Sequence, residues 1–238
     1  VATENEGLIS AKEDTGEFYY FRGNIENNYV SFAGLIWRIV KINSDGSVKL
    51  ILNDYTSTNG NFYETSNETK LNFSENKMHE ILNEWYQKNL LNYESHLISN
   101  KYCVDDTILN YENGTNYYLA NARLLRDYNE NYNCLGTNYT TRIGLLSADE
   151  VVLAGASANS GNTSFYLYVP DKTVAWWTLT PNYSVENNIA FFEVNTNGAL
   201  SSDTRGTYYR GIRPVINLVK RTSVTGSGTI TDPYIIKE

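Results

Sequence analysis

The sequence predicts an α+β domain, a mostly antiparallel sheet carrying two or three helices. Three observations lead there. Residues 174–218 hold the densest run of large apolar residues, divided by Pro181 and Asn197-Gly198 into short aromatic and β-branched segments that read as strands. Met78, Ile81, Leu82 and Trp85 stand at i, i+3, i+4 and i+7, which lines one face of a helix. Ser147-Ala148-Asp149-Glu150 has the form of a capping box, in which hydroxyl and carboxylate each bind the other residue's amide, and it opens a second helix.

The elements follow in order. Residues 1–16 are polar and mixed in charge, with little apolar beyond Leu8-Ile9, and read as an extended arm that packs on its own domain or on a neighbouring molecule; residues 17–238 read as one domain. Strands are expected at 17–22, at 29–33 and 35–42 around Gly34, and at 47–52 after the turn Ser44-Asp45-Gly46. Residues 54–70 form a polar loop, and the first helix is expected to take Ser74 as its cap. Residues 92–116 read as irregular and lead into a shorter helical pattern at Leu119, Ala122 and Leu125. A buried strand at 143–146 precedes the capping box, whose helix Gly155 ends. In the central stretch, 174–180 stops at Pro181, 190–194 runs into the Asn197-Gly198 turn, and 208–218 returns with Pro214 at an edge or bulge. Residues 234–236 make a last short strand.

Composition narrows the function classes. Apolar residues at 41% and charged ones at 19% fit a folded domain, and 20 Tyr with 4 Trp supply large contacts that need not all be buried. A formal charge of -8 offers no basic footprint for a phosphate backbone, so nucleic acid is not an expected partner. No apolar run reaches the roughly 18 residues that a membrane-spanning helix needs. Cys103 and Cys134 lie far outside any CxxC spacing, and His79 and His96 are too few to complete a zinc knuckle. The two cysteines read as a structural disulfide, which implies an oxidising compartment, with a pair of unrelated free thiols as the alternative. No cofactor is expected.

Beyond these readings, the chain resembles a family of uncharacterised exported domains from Gram-positive and related bacteria, whose cores are similar to the C-type-lectin-like fold shared by formylglycine-generating enzymes. The resemblance is carried by residues 19–23 (YYFRG), residues 28–34 with Trp37-Arg38-Ile39-Val40, Trp85-Tyr86, residues 144–150 (GLLSADE), Trp176-Trp177 and residues 211–218 (GIRPVINL). It implies export to the bacterial cell surface and a lectin-like sheet. Calcium-dependent lectins of that fold use an acidic triplet around a proline and a Trp-Asn-Asp strand, whereas this chain offers only Thr180-Pro181-Asn182. The catalytic cysteines of formylglycine-generating enzymes stand late in the fold, and Cys134 is the last one here.

Candidate contact residues cluster in the second half. Trp176 and Trp177 are neighbours on a strand, so one is expected in the core and the other toward a loop or solvent, where it could stack on a sugar or protein. The loops 182–188 and 201–209 supply Tyr183, Glu186, Asp203, Arg205, Tyr208 and Tyr209, a mixture typical of recognition surfaces. Arg213 reads as a buried arginine paired with a carboxylate. The expected function is therefore a non-catalytic extracellular domain that adheres to a protein or glycan. The alternatives are a filament subunit that joins copies of itself by strand addition through a terminal segment, and a glycan-active enzyme using two of the many carboxylates.

Overall fold

The computed structural model describes residues 6–65, 71–158, 160–186, 188–220 and 224–236; within these, the side chains of Asp203 and Thr204 are not described. In chain order the strands and helices are β1 (Gly7–Glu13), β2 (Gly16–Arg22), β3 (Tyr29–Phe32), β4 (Leu35–Ile42), β5 (Val48–Leu52), β6 (Ser57–Gly60), α1 (Lys77–Asn89), β7 (Asn100–Cys103), β8 (Ile108–Glu112), β9 (Thr115–Tyr118), α2 (Leu119–Leu125), β10 (Asn138–Thr141), β11 (Ile143–Gly144), α3 (Ala148–Ala154), β12 (Trp176–Val185), β13 (Asn188–Val194), β14 (Leu200–Arg205), β15 (Arg210–Ile212), β16 (Val215–Leu218) and β17 (Tyr234–Ile235). The architecture is α+β and mostly antiparallel.

The strands form two large sheets and one small one. The first runs β1-β2-β4-β5-β16-β11, with β3 on β4 and β17 on β3; the second runs β14-β13-β12-β15-β6, with β9 on β12 and β8 on β9; β7 and β10 make a separate pair. Among the named strands only β12 with β15 and β17 with β3 pair in parallel. The segment 208–218, expected as one return strand, is divided between the sheets. Pro214 donates no hydrogen to a ladder, so β15 ends on the second sheet and β16 begins on the first, with Arg213-Pro214 as the crossing point.

The first described residues are an edge strand of their own sheet. β1 pairs with β2 along its whole length, from Gly7 opposite Arg22 to Glu13 opposite Gly16. Ile9 and Ala11 alternate inward and pack on Phe18, Tyr20 and Leu153. The terminal strand β17 is also taken up by its own chain, in register with Val30 and Ser31 of β3.

Several loops expected from their polarity contain strands. β6 lies within 54–70, β7 and β8 lie within 92–116, and β9 begins there. β6, β7 and β9 are held by partners distant in sequence, such as Tyr117 opposite Tyr183, which outweigh weak local preferences, and β8 adds to β9 as a hairpin. Pro181 does not stop β12. The pairing with β13 shifts register on both sides of it, and the bulge accommodates the missing amide.

Helix α1 is capped by Asn76, whose side chain accepts from the His79 amide at 3.0 Å, rather than by Ser74, which sits in a preceding 3-10 turn. The cap supplies on the order of 1 kcal/mol. Burial of Met78, Leu82 and Tyr86 supplies roughly 1.5–3 kcal/mol for each large side chain, so packing holds this helix in place. Ser147 and Glu150 form the expected capping box of α3, and Gly155 ends that helix at φ 121°.

Arg213 is buried, as expected, but its partners are backbone carbonyls. Its guanidinium donates to Leu52 O at 3.0 Å, Leu167 O at 2.7 Å and Asn53 O at 3.3 Å. These carbonyls border the crossing point, where chain passing between sheets leaves acceptors without a ladder partner. Among the described residues, no helix is long and apolar enough to cross a membrane.

Candidate functional site

The connection from β14 to β15 carries Tyr208 and Tyr209, which are 51% and 55% exposed. Its root is fixed. Gly206 donates to Ile189 O at 2.9 Å and its carbonyl accepts from Phe62 N at 2.7 Å. A Cβ there would meet the Tyr63 ring at 2.5 Å, so a larger residue would displace a buried side chain. Beyond the turn, Arg210 Nε donates to Glu193 Oε2 at 2.6 Å, and the guanidinium lies 5.7 Å from the Tyr208 ring centre and 5.9 Å from that of Trp177. Both tyrosines thus project from an anchored turn, and a partner would meet a surface needing little ordering.

The remaining expected contact residues divide. Tyr183 and Arg205 both lie opposite Ala190, in one lateral row across β12, β13 and β14, and the Tyr183 ring is 6.3 Å from that of Tyr117. Glu186 is exposed in the β12–β13 turn at φ 51°. Asp203 belongs to β14, and its side chain lies outside the described residues. Trp176 and Trp177 require correction. Their relative exposures are 2% and 0%, so neither reaches solvent. Central β12 is covered on both faces: Trp177 Nε1 donates to Gly60 O at 2.8 Å and meets the Phe62 ring edge-on at 5.3 Å, while Trp176 lies under the Arg213 guanidinium at 4.9 Å.

The disulfide joins Cys103 at the end of β7 to Cys134, with the two Cα atoms 5.5 Å apart. Beside it, Arg123 of α2 binds two carboxylates. Its Nη2 donates to Asp105 Oδ2 at 2.6 Å and Asp149 Oδ2 at 2.8 Å, and Nη1 to Asp149 Oδ1. Burial and the neighbouring Asp149 charge push the Asp105 carboxyl up to about 6, against the pull of Arg123. Asp149 also accepts from Asn131 N at 2.7 Å. The cluster therefore ties α2 and α3 to the segment that carries Cys134.

That segment forms one wall of a cleft of about 580 Å³ that sequence reasoning did not anticipate. The floor is a lateral row on the first sheet: Tyr20 of β2 lies opposite Lys41 of β4, and Lys41 opposite Lys49 of β5. Lys41 Nζ contacts Glu13 Oε2 at 2.6 Å and lies 4.1 Å from the Phe18 ring centre. Lys49 Nζ pairs with Glu150 Oε1. Burial and the like charge of Lys49 lower the Lys41 ammonium, and Glu13 offsets part of that shift. Burial would raise the Glu150 carboxyl, yet Lys49, the Ser147 amide and Lys41 hold it below its ordinary value. Burial and the nearby Tyr132 push the Tyr20 phenol up to about 12. The only hint in sequence was the i+2 spacing of Ile39 and Lys41, which leaves a lysine on an otherwise apolar strand face.

The two histidines stand apart from this cleft. His79 Nε2 meets Asn83 Nδ2 at 2.7 Å, and His96 packs 5.9 Å from the Phe32 ring. Comparison with known proteins finds no protein family, curated protein or solved structure that matches the chain.

Proposed function

We propose that this chain is an extracellular domain of a bacterial cell surface that works by contact, adhering to a protein or a glycan without catalysis. The observation that carries the reading is the pair Tyr208 and Tyr209, held outward on a turn whose root is anchored by Gly206 and by the Arg210–Glu193 ion pair. Aromatic rings exposed on a rigid support are the usual anchors of recognition surfaces. The disulfide supports an oxidising compartment, and the C-type-lectin-like reading of the fold rests on the sequence resemblance. The test is retention of the purified chain on arrays of glycans and surface proteins, with Tyr208→Ala/Tyr209→Ala as the comparison. Binding that survives the double substitution removes this turn from the account.

A second reading, self-association by strand addition, is favoured by β8. Every residue of this edge strand is exposed, and Ile108, Leu109 and Tyr111 are apolar. Uncovered apolar edges invite pairing with another chain. The partner we favour is the same strand of a second copy, antiparallel about Asn110, which sets Leu109 opposite Tyr111 and leaves no like charges facing. β1 and β17, which belong to the terminal segments expected as donors, are already paired within their own sheet. Sedimentation of Leu109→Lys/Tyr111→Lys against the parent chain tests this: a monomer at every concentration in both contradicts it.

A further inference from the structure

We infer that the cleft between the first sheet and the Cys134 segment is a binding site for the carboxylate of a small acidic sugar, received between Lys41 and Lys49. This site is separate from the Tyr208 turn, and neither depends on the other.

The two ammonium groups are neighbours in register on the cleft floor, and both are largely withdrawn from solvent. Each has three donors. Among the described residues Lys41 spends one on Glu13, and Lys49 one on Glu150. Both side chains line the cavity, where Lys41 Nζ also lies 4.1 Å from the Phe18 ring centre and Lys49 Nζ 5.3 Å from that of Tyr102. Asp14, Asp45 and Asp149 also line the cleft, with Lys101, so an anion gains only where it bonds both ammonium groups directly, through the donors they have to spare. Two buried ion pairs are weak evidence for stability, since apolar residues of similar size commonly serve a fold as well. Their presence beside a cavity points to recognition.

The walls indicate what the anion is attached to. Asn131 and Asn133, together with Tyr132, bring amide and phenol groups to one side, and Asn43 and Asn100 bring amides to the other. Amides that both donate and accept, beside aromatic edges, match a ring bearing several hydroxyls. A cavity of about 580 Å³ falls within the range of small-ligand sites, roughly 300–1,000 Å³.

Glu13 sets the terms of entry. It stands at the end of edge strand β1, next to the turn whose Asp14 amide donates to Asn133 Oδ1 at 2.9 Å. Its carboxylate occupies one of the positions on Lys41 that a ligand would use, so it competes with the ligand from within the chain. Binding exchanges that contact for one with the sugar acid, and no covalent bond is made or broken.

The experiment is calorimetric titration of the whole chain with glucuronate, galacturonate and N-acetylneuraminate, with glucose and acetate as controls. Backbone amide shifts of Lys41, Lys49 and Asn133 locate the binding. The inference expects saturable binding of at least one of the three acids, at least tenfold weaker binding of glucose and of acetate, and shifts at those three amides. Glu13→Gln, which removes the competing charge, is expected to tighten that acid about tenfold, and Lys41→Met to abolish its binding. Should Lys41→Met fail to fold, the Glu13→Gln comparison stands alone. The inference is overturned if none of the acids binds the parent chain, if glucose or acetate binds as well as the acid, if the shifts fall elsewhere, if Glu13→Gln does not tighten the binding, or if a folded Lys41→Met retains it.

Discussion

Arg213 lies over Trp176 at 4.9 Å, at the point where the chain leaves one sheet for the other. Three carbonyls, those of Leu52, Asn53 and Leu167, converge on its guanidinium. Burial lowers the group to about 10, so it remains charged at neutral pH. A lysine presents one ammonium in place of a planar fork and cannot reach all three acceptors. Arg213→Lys is expected to cost about 2–4 kcal/mol, from two buried acceptors left unpaired. Calorimetry should record a melting temperature lower by about 5–15 °C; an unchanged value would show that the crossing point is held by other contacts.

The Cys103–Cys134 bond closes a segment of 31 residues in sequence separation. In the loop-entropy treatment, such a link stabilises by about 3–4 kcal/mol. Cys103→Ala/Cys134→Ala should therefore melt roughly 8–15 °C below the parent chain. Reductant should lower the parent to the same point and leave the variant unaffected.

Asp105 gives the protein a specific dependence on pH. Its folded-state value of about 6 lies above the ordinary 3.8, so the folded chain holds this proton more tightly than the unfolded one. Stability from this group is full below about pH 4 and is lost as pH rises through 6, by at most about 3 kcal/mol. The facing charges are Arg123 and Asp149, with Asp106 farther off. Asp105 adopts φ 58°, a conformation that asparagine also tolerates, and Arg123 keeps its two bonds to Asp149. Asp105→Asn is expected to raise the melting temperature at pH 8 and to converge with the parent near pH 4. Equal melting curves at both values would contradict this assignment.

Removal of residues 1–13 tests what β1 contributes to its own sheet. Strand β1 covers Phe18 and Tyr20 through Ile9 and Ala11, and Glu13 neutralises Lys41. Re-exposing part of two aromatic side chains costs on the order of 2–4 kcal/mol and opens an apolar edge on β2. Light scattering should show aggregation of the truncated chain. A stable monomer would show that the rest of the sheet holds without this strand.

Local chemistry made part of this architecture legible. The capping box at Ser147 and the end at Gly155 depend on contacts within a few residues, and the stripe from Met78 to Trp85 on a single helix. The alternation from Leu35 to Leu52 likewise identified a hairpin whose two strands are neighbours in sequence. What escaped was settled by distant partners. β6 and β9 are polar segments that become strands only because β15 and β12 lie beside them. Trp176 and Trp177 were expected on opposite faces, and they are, yet the second face is covered by Arg213. The cleft escaped for the same reason: Glu13, Lys41, Lys49 and Glu150 come from four separated segments, and nothing local brings them together. Tyr208 and Tyr209, by contrast, were recognisable as candidate contact residues of 201–209, although 208–218 also read as a strand.

The central claim is that the chain acts by contact through the anchored turn bearing Tyr208 and Tyr209. The most direct measurement is binding to a glycan and surface-protein array by the parent chain and by Tyr208→Ala/Tyr209→Ala, with both melting temperatures recorded. The account predicts at least a tenfold loss of retention, with stability changed by no more than about 0.5 kcal/mol. Retention equal in the two proteins, or no retention by the parent on any surface, would contradict it.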